Sequence, residues 1–250
     1  MKKAFRKSKP ALMVMSLMLI GMSFLFLSCL NNGPSSPPTP IGGISKNGGT
    51  TSNPTSSGTN YVVGAVDYLI TSQGSGPVTT YLLTAAVAVS NTPVINAAVT
   101  FTDPNGTFYS LPYSGSNQAV GGVTCGLYQD APSSFATIGA FKFSVMTSSG
   151  ISSGSVTAIN SIVSFPSPYT TLSWSGTSQE NTVSLVSEAT PSASYSQSST
   201  TSPISIPAST YTSGTTYDYQ FLQANEAATI NGGTGSLGYL QTSIGTFVAP

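Results

Sequence analysis

The sequence predicts an all-β protein: two antiparallel β-sandwich domains that follow a signal helix and a disordered tether. Three observations predict it. Segments of four to nine residues alternate apolar and polar side chains, the period of a half-buried strand. Gly, Pro, Asn and Ser turns split these segments every ~8–12 residues, the spacing of β-sandwiches. Downstream of residue 28 no apolar stripe recurs at 3.6 residues with helix caps. The 250 residues are expected to divide into a signal peptide over 1–28, a tether over 29–60, a first sandwich over 61–165 and a second over 166–250.

The amino terminus is a targeting segment by its charge and hydropathy. Five of the seven cations, Lys2, Lys3, Arg6, Lys7 and Lys9, lie in the first ten residues. An apolar run, Ala11 to Leu27, follows them, and a small residue closes it. The basic end stays in the cytoplasm while the apolar run enters the bilayer. The exit, Leu25-Phe26-Leu27-Ser28-Cys29, resembles a bacterial lipobox, with Phe26 where leucine is common. The resemblance implies a bacterial lipoprotein: cleavage before Cys29, a diacylglycerol thioether on its sulfur and an N-acyl chain such as palmitate. Two or more chains anchor stably where one binds marginally. The expected location is the bacterial cell envelope, at the outer membrane, because Leu30 is not the Asp associated with inner-membrane retention.

Leu30 to about Asn60 is rich in Pro, Gly, Ser, Thr and Asn. It has almost no apolar surface to bury, so ordering it would cost chain entropy without return. As a flexible coil of ~30 residues it reaches ~30 Å.

The first sandwich is read from its alternating runs. Tyr81, Leu83, Ala85, Val87 and Val89 mark one strand, and Val99 with Phe101 mark another. Asp103-Pro104-Asn105-Gly106 is a hairpin turn, since Asp-Pro opens a turn and Asn-Gly supplies a positive φ. Phe108 and Tyr109 begin the return strand. Phe141, Phe143 and Val145 form a further strand, and Val156 to Val163 one more. This half looks like a bacterial immunoglobulin-like domain.

Phe165-Pro166-Ser167-Pro168 marks the boundary. Leu172 and Trp174, then Val183 and Leu185, then Ile204 and Ile206, share strand faces. Tyr211-Thr212-Ser213-Gly214-Thr215-Thr216-Tyr217 leads into Tyr217, Tyr219 and Phe221 on alternate positions. Over residues 166–250 this pattern resembles a fibronectin type III domain, in which an early strand carries a buried Trp. A Gly-Thr-x-Tyr turn there feeds a late strand. Gly214, Thr215 and Tyr217 match that turn, while Tyr211 and Ser213 stand where the family has Leu and Pro. The resemblance implies a corner tied by the Tyr217 hydroxyl, and a fold rather than an activity.

Charge excludes several function classes. Downstream of residue 28 only Lys46 and Lys142 face seven acids, a formal charge of −5 with neither Arg nor His. Nucleic-acid binding is excluded, because it needs clustered cations. No enzyme is expected: without His there is no Ser-His-Asp or Cys-His arrangement. The acids Asp67, Asp103, Asp130, Glu180, Glu188, Asp218 and Glu226 are scattered singly. No metal or other cofactor is expected. Cys125 reads as a small buried thiol, because its spacing to Gln129 is one residue too long for a thioester motif. Lys142 alternates with Phe141 and Phe143 and is expected in solvent rather than in a crosslink.

Tyrosines are the remaining candidates. All 12 lie downstream of Cys29, and each offers an apolar ring with a polar tip. Tyr113, Tyr128, Tyr169 and Tyr195 are the candidate ligand-binding residues in loops. The expected function is a non-catalytic lipoprotein that displays β-sandwich modules for adhesion or ligand binding. Its partners are the membrane, through the acyl chains on Cys29, and an extracellular protein or glycan. A carbohydrate-binding accessory module and a self-assembling envelope subunit are the alternatives.

Overall fold

The computed structural model describes residues 58–73, 76–190, 194–227 and 230–250. The signal peptide, Cys29 and the tether up to Ser57 lie outside the described residues. The described chain is all-β, and its only helical element is one 3-10 turn, Ala208–Thr210.

The first half contributes β1 (Asn60–Gln73), β2 (Gly76–Val89), β3 (Thr92–Pro93), β4 (Ala98–Thr102), β5 (Phe108–Leu111), β6 (Tyr113–Val120), β7 (Val123–Asp130), β8 (Ala140–Thr147) and β9 (Gly150–Thr157). The second contributes β10 (Val163–Ser164), β11 (Thr171–Trp174), β12 (Glu180–Ser187), β13 (Ser194–Ser199), β14 (Ile204–Ser205), β15 (Thr216–Ala227) and β16 (Thr234–Val248). Strands β1 and β2 are 14 residues each, about 46 Å at ~3.3 Å per residue.

The two halves share one sheet. Its order is β13-β12-β15-β16-β1-β2-β7-β6, with β3 beside β2. The junction is β16 against β1, paired in parallel from Tyr61 opposite Thr234 to Ser72 opposite Gly245. The other named pairings are antiparallel. A four-stranded sheet, β5-β4-β8-β9, and a three-stranded sheet, β10-β11-β14, complete the fold.

Period-two alternation places both small sheets on the same face of the large one. Odd positions of β16 point to that front face. Leu237 and Tyr239 enter a core with Val62, Val66, Leu83, Val87, Phe101, Phe141, Phe143 and Val145. Further along the same strand, Phe247 enters a second core with Leu172, Trp174, Leu185, Ile204, Tyr217 and Phe221. One strand therefore supplies both cores. The opposite face of the large sheet carries a further apolar cluster, Val63, Ala65, Ala86, Ala88, Cys125 and Leu127 among it. Cys125 is fully buried there, and burial pushes its thiol up to about 11.

Two expectations shift at element ends. Asn60, expected as the last tether residue, opens β1 and is buried. Its side chain donates to Ser152 Oγ (2.9 Å) and accepts from Thr147 Oγ1 (2.8 Å). The strand expected over Val156–Val163 ends at Thr157 as part of β9. The Ala158 N–H then bonds the Gly139 carbonyl (2.7 Å), and the chain crosses toward the three-stranded sheet. The alternation continues in the letters, but the second sheet claims Val163.

The hairpin turn forms as expected between β4 and β5. Gly106, at φ 88°, donates its N–H to the Asp103 carbonyl (2.9 Å). The buried Asp103 carboxylate accepts from the N–H groups of Asn105 (3.0 Å), Thr107 (2.8 Å) and Ala136 (3.1 Å), and from the Tyr109 hydroxyl (3.3 Å). Burial alone would raise its pKa. The backbone N–H groups of Ala136 and Thr107, the Tyr109 hydroxyl and the Asn105 N–H together hold it below the ordinary carboxylate value. Because the folded pKa is depressed, this stabilisation is complete above about pH 4 and is lost as pH falls through the folded pKa. Asp103→Ala is expected to lower stability by about 2 kcal/mol at pH 7, since it strands buried donors. The same substitution should flatten the acid limb of the stability curve. Urea midpoints measured between pH 7 and pH 2 check both, and an unchanged acid limb would refute the assignment.

Candidate functional site

The chain segment between β9 and β10 crosses the front face of the large sheet, where Gln241 of β16 bonds the Ser161 carbonyl. Beside it opens a cleft of about 360 Å³. β1 supplies Tyr68, Ile70 and Ser72; β16 supplies Gln241 and Ser243; β15 supplies Tyr219; the crossing segment supplies Ile159 to Ile162. Parallel pairing decides this assembly, because Tyr68 lies opposite Gln241 and Ile70 opposite Ser243. Among the described residues no charged side chain lines the cleft.

The rings are held firmly. Tyr68 stacks on Tyr81 at 5.4 Å, and Phe135 packs edge-on against Tyr81 at 4.7 Å. Tyr219 packs edge-on against Phe165 at 5.4 Å. Its ring lies across Gly245, its partner in the β15–β16 ladder: a Cβ at Gly245 would sit 2.6 Å from the ring. Burial, and then the neighbouring Tyr81, raise the Tyr68 pKa. Burial and Tyr169 raise that of Tyr219 against a hydrogen bond from Ser72. Both phenols are therefore neutral hydrogen-bonding groups at neutral pH.

Gln241 is 1% exposed. Its Nε2 donates to the Ser161 carbonyl (2.8 Å), which fixes the crossing segment over the sheet. Its Oε1 and the Ser161 hydroxyl are buried with no hydrogen-bond partner. Buried polar groups are nearly always paired, and an unmet one is costly. Two such atoms belong to residues lining this one cleft.

No protein-family model matches the chain, and no curated protein does.

The four candidate tyrosines do not meet in one place. Tyr128 is 1% exposed and points into the first core; its hydroxyl donates to the Val94 carbonyl (3.0 Å) and accepts from the Ala97 N–H (2.8 Å). It braces the loop before β4. Tyr113 packs edge-on against Tyr128 at 5.7 Å and donates to Asn117 Oδ1 at 3.0 Å. Tyr169, at φ 63°, stacks on Phe247 at 4.2 Å. Tyr195 lies on β13 against the second core and donates to Gln197 Oε1. The sequence pattern does not mark Tyr68, Tyr219, Gln241 or Ser243 as site residues. Tyr219 stood in a recognised alternating run, which was the one available signal. The others become neighbours only through the β1–β16 pairing.

Among the described residues no three His, Cys, Asp or Glu side chains gather as a metal site requires. Asp218 has its pKa raised by burial and then by Glu188, and neither acid lines the seam cleft. Lys142 is exposed on β8.

Proposed function

We propose that the chain is a non-catalytic, lipid-anchored protein of the bacterial cell envelope that displays a β-sandwich module for ligand binding. The observation that carries the binding part is the seam cleft, a pocket of tyrosine rings, amide and hydroxyl groups without charge. Such a surface recognises by shape, stacking and hydrogen bonds rather than by ion pairs. The anchor reading rests on the Leu25-Phe26-Leu27-Ser28-Cys29 exit.

The fibronectin type III-like reading of the second half is supported by strand order, with its first strand at Val163–Ser164, ahead of the expected boundary at residue 166. Strands β10-β11-β14 face β13-β12-β15-β16, and Trp174 packs on Phe221 at 5.1 Å. The Tyr217 hydroxyl accepts from the Thr212 N–H (3.0 Å) and donates to the Thr210 carbonyl (3.4 Å), which ties the corner before β15.

In a bacterial host, metabolic labelling with palmitate should mark the wild-type chain and sediment it with membranes. Cys29→Ala should abolish the label. Label that persists on that variant would overturn the anchor assignment.

A further inference from the structure

We infer that the seam cleft binds a small neutral saccharide, with one sugar ring seated between Tyr68 and Tyr219 above Gln241. This rests on the ligand-display reading and names its ligand class.

Four features of the cleft select this chemistry. Its lining is uncharged, so a phosphate, carboxylate or ammonium ligand would be desolvated without a counter-ion. Two tyrosine rings line the cleft, and the apolar faces of such rings match the C–H faces of a pyranose ring. Ser72 and Ser243 add hydroxyls that donate or accept, the versatility that sugar hydroxyls need. Finally, Gln241 Oε1 and Ser161 Oγ lie buried without partners. Both atoms are closed off beneath the crossing segment, so a ligand hydroxyl meets them only where that segment yields, whereas a purely apolar ligand would leave them unmet in either case. The cleft volume of about 360 Å³ is near the lower end of the roughly 300–1,000 Å³ usual for small-molecule sites. That size suits one or two sugar units.

Ring placement is built into the sheet. Gly245 leaves room for the Tyr219 ring against β16, and Tyr81 backs Tyr68. Both platforms are therefore fixed before ligand arrives, which limits the entropy lost on binding.

The test uses the full-length protein in a detergent without a sugar headgroup. Neutral hexoses, N-acetylhexosamines and their disaccharides are titrated by calorimetry and by saturation-transfer NMR, with hexuronic acids as the charged comparison. At least one neutral saccharide should bind, and the uronic acids should bind at least about tenfold more weakly. Asn160→Trp places a ring at the exposed rim without touching either core. Gln241→Met keeps the shape but removes the amide. Each should weaken binding at least about tenfold, the scale of one or two hydrogen bonds, while melting curves confirm the fold. Saccharide binding undiminished in Asn160→Trp, or no neutral saccharide bound at all, would overturn the inference. Binding of a protein ligand elsewhere with no saccharide signal would overturn it too, while leaving the ligand-display reading intact. Loss of the anchor assignment at Cys29 would leave the cleft result untouched.

Discussion

Replacing Gly235 with alanine is expected to lower the unfolding free energy by about 3–5 kcal/mol, or to prevent folding outright. Gly235 sits at φ +127°, and a Cβ there would lie 1.8 Å from the Val62 carbonyl oxygen and 2.7 Å from its carbon. Both atoms are backbone of β1, the strand that Gly235 faces across the parallel ladder. They cannot swing aside as a side chain would, so β1 and β16 must separate locally. Domains of this kind have only about 5–15 kcal/mol in hand. Gly106 provides the control: its φ is +88°, but a Cβ there meets nothing within 4 Å. Gly106→Ala should therefore cost only about 1 kcal/mol of backbone strain. Denaturant midpoints of the two variants decide the matter. Equal midpoints would show that the close approach at Val62 carries no weight.

A chain ending at residue 165 is expected not to fold cooperatively, although a domain boundary was expected there. Such a chain keeps β1 to β9 but loses β16. It thereby loses the twelve-residue ladder on one side of β1 and two fully buried side chains, Leu237 and Tyr239, from the first core. Removing buried side chains of that size costs about 2–5 kcal/mol each. The exposed edge of β1 would also template aggregation. Near-UV circular dichroism and a urea titration of residues 58–165 test this. A single sharp transition near that of the whole protein would show that the first sandwich stands alone.

The strands legible in the sequence are those with branched or aromatic residues on one face only. Tyr81 to Val89 in β2, Phe141 to Val145 in β8 and Tyr217 to Phe221 in β15 all pair as such runs should. The turn at Asp103 was legible because Asp-Pro and Asn-Gly have local reasons to bend. β16 was not legible. Gly238 and Gly245 interrupt its pattern, and Gln241 and Ser243 stand on its inward face. Two of these departures have uses that depend on distant residues. Gly245 makes room for Tyr219, and Gln241 holds Ser161. β1 was hidden for a similar reason: Gly64 interrupts it beneath Leu237 and Phe143. The candidate site failed to emerge because its residues are aligned by a register between the two ends of the described chain. A tyrosine in a short run carries no mark of whether it braces a core, as Tyr128 does, or lines a cleft, as Tyr68 does.

The parallel pairing of β1 with β16 also orders events in time. The Thr234 hydroxyl reaches the Asn60 carbonyl across 174 residues of chain. Under the proposed export from the amino terminus, β1 would reach the far side of the membrane long before its partner strand. Loops that long close slowly, and the ladder must wait for nearly the whole chain. Until β16 arrives, that edge of β1 lacks its ladder partner, and an unpaired strand edge is the kind of surface on which chains misassociate. Tethering at Cys29 would hold each nascent chain to its own patch of membrane through this wait. If Cys29 carries the proposed lipid, the anchor would act first as a device that separates folding chains, and only later as a mooring.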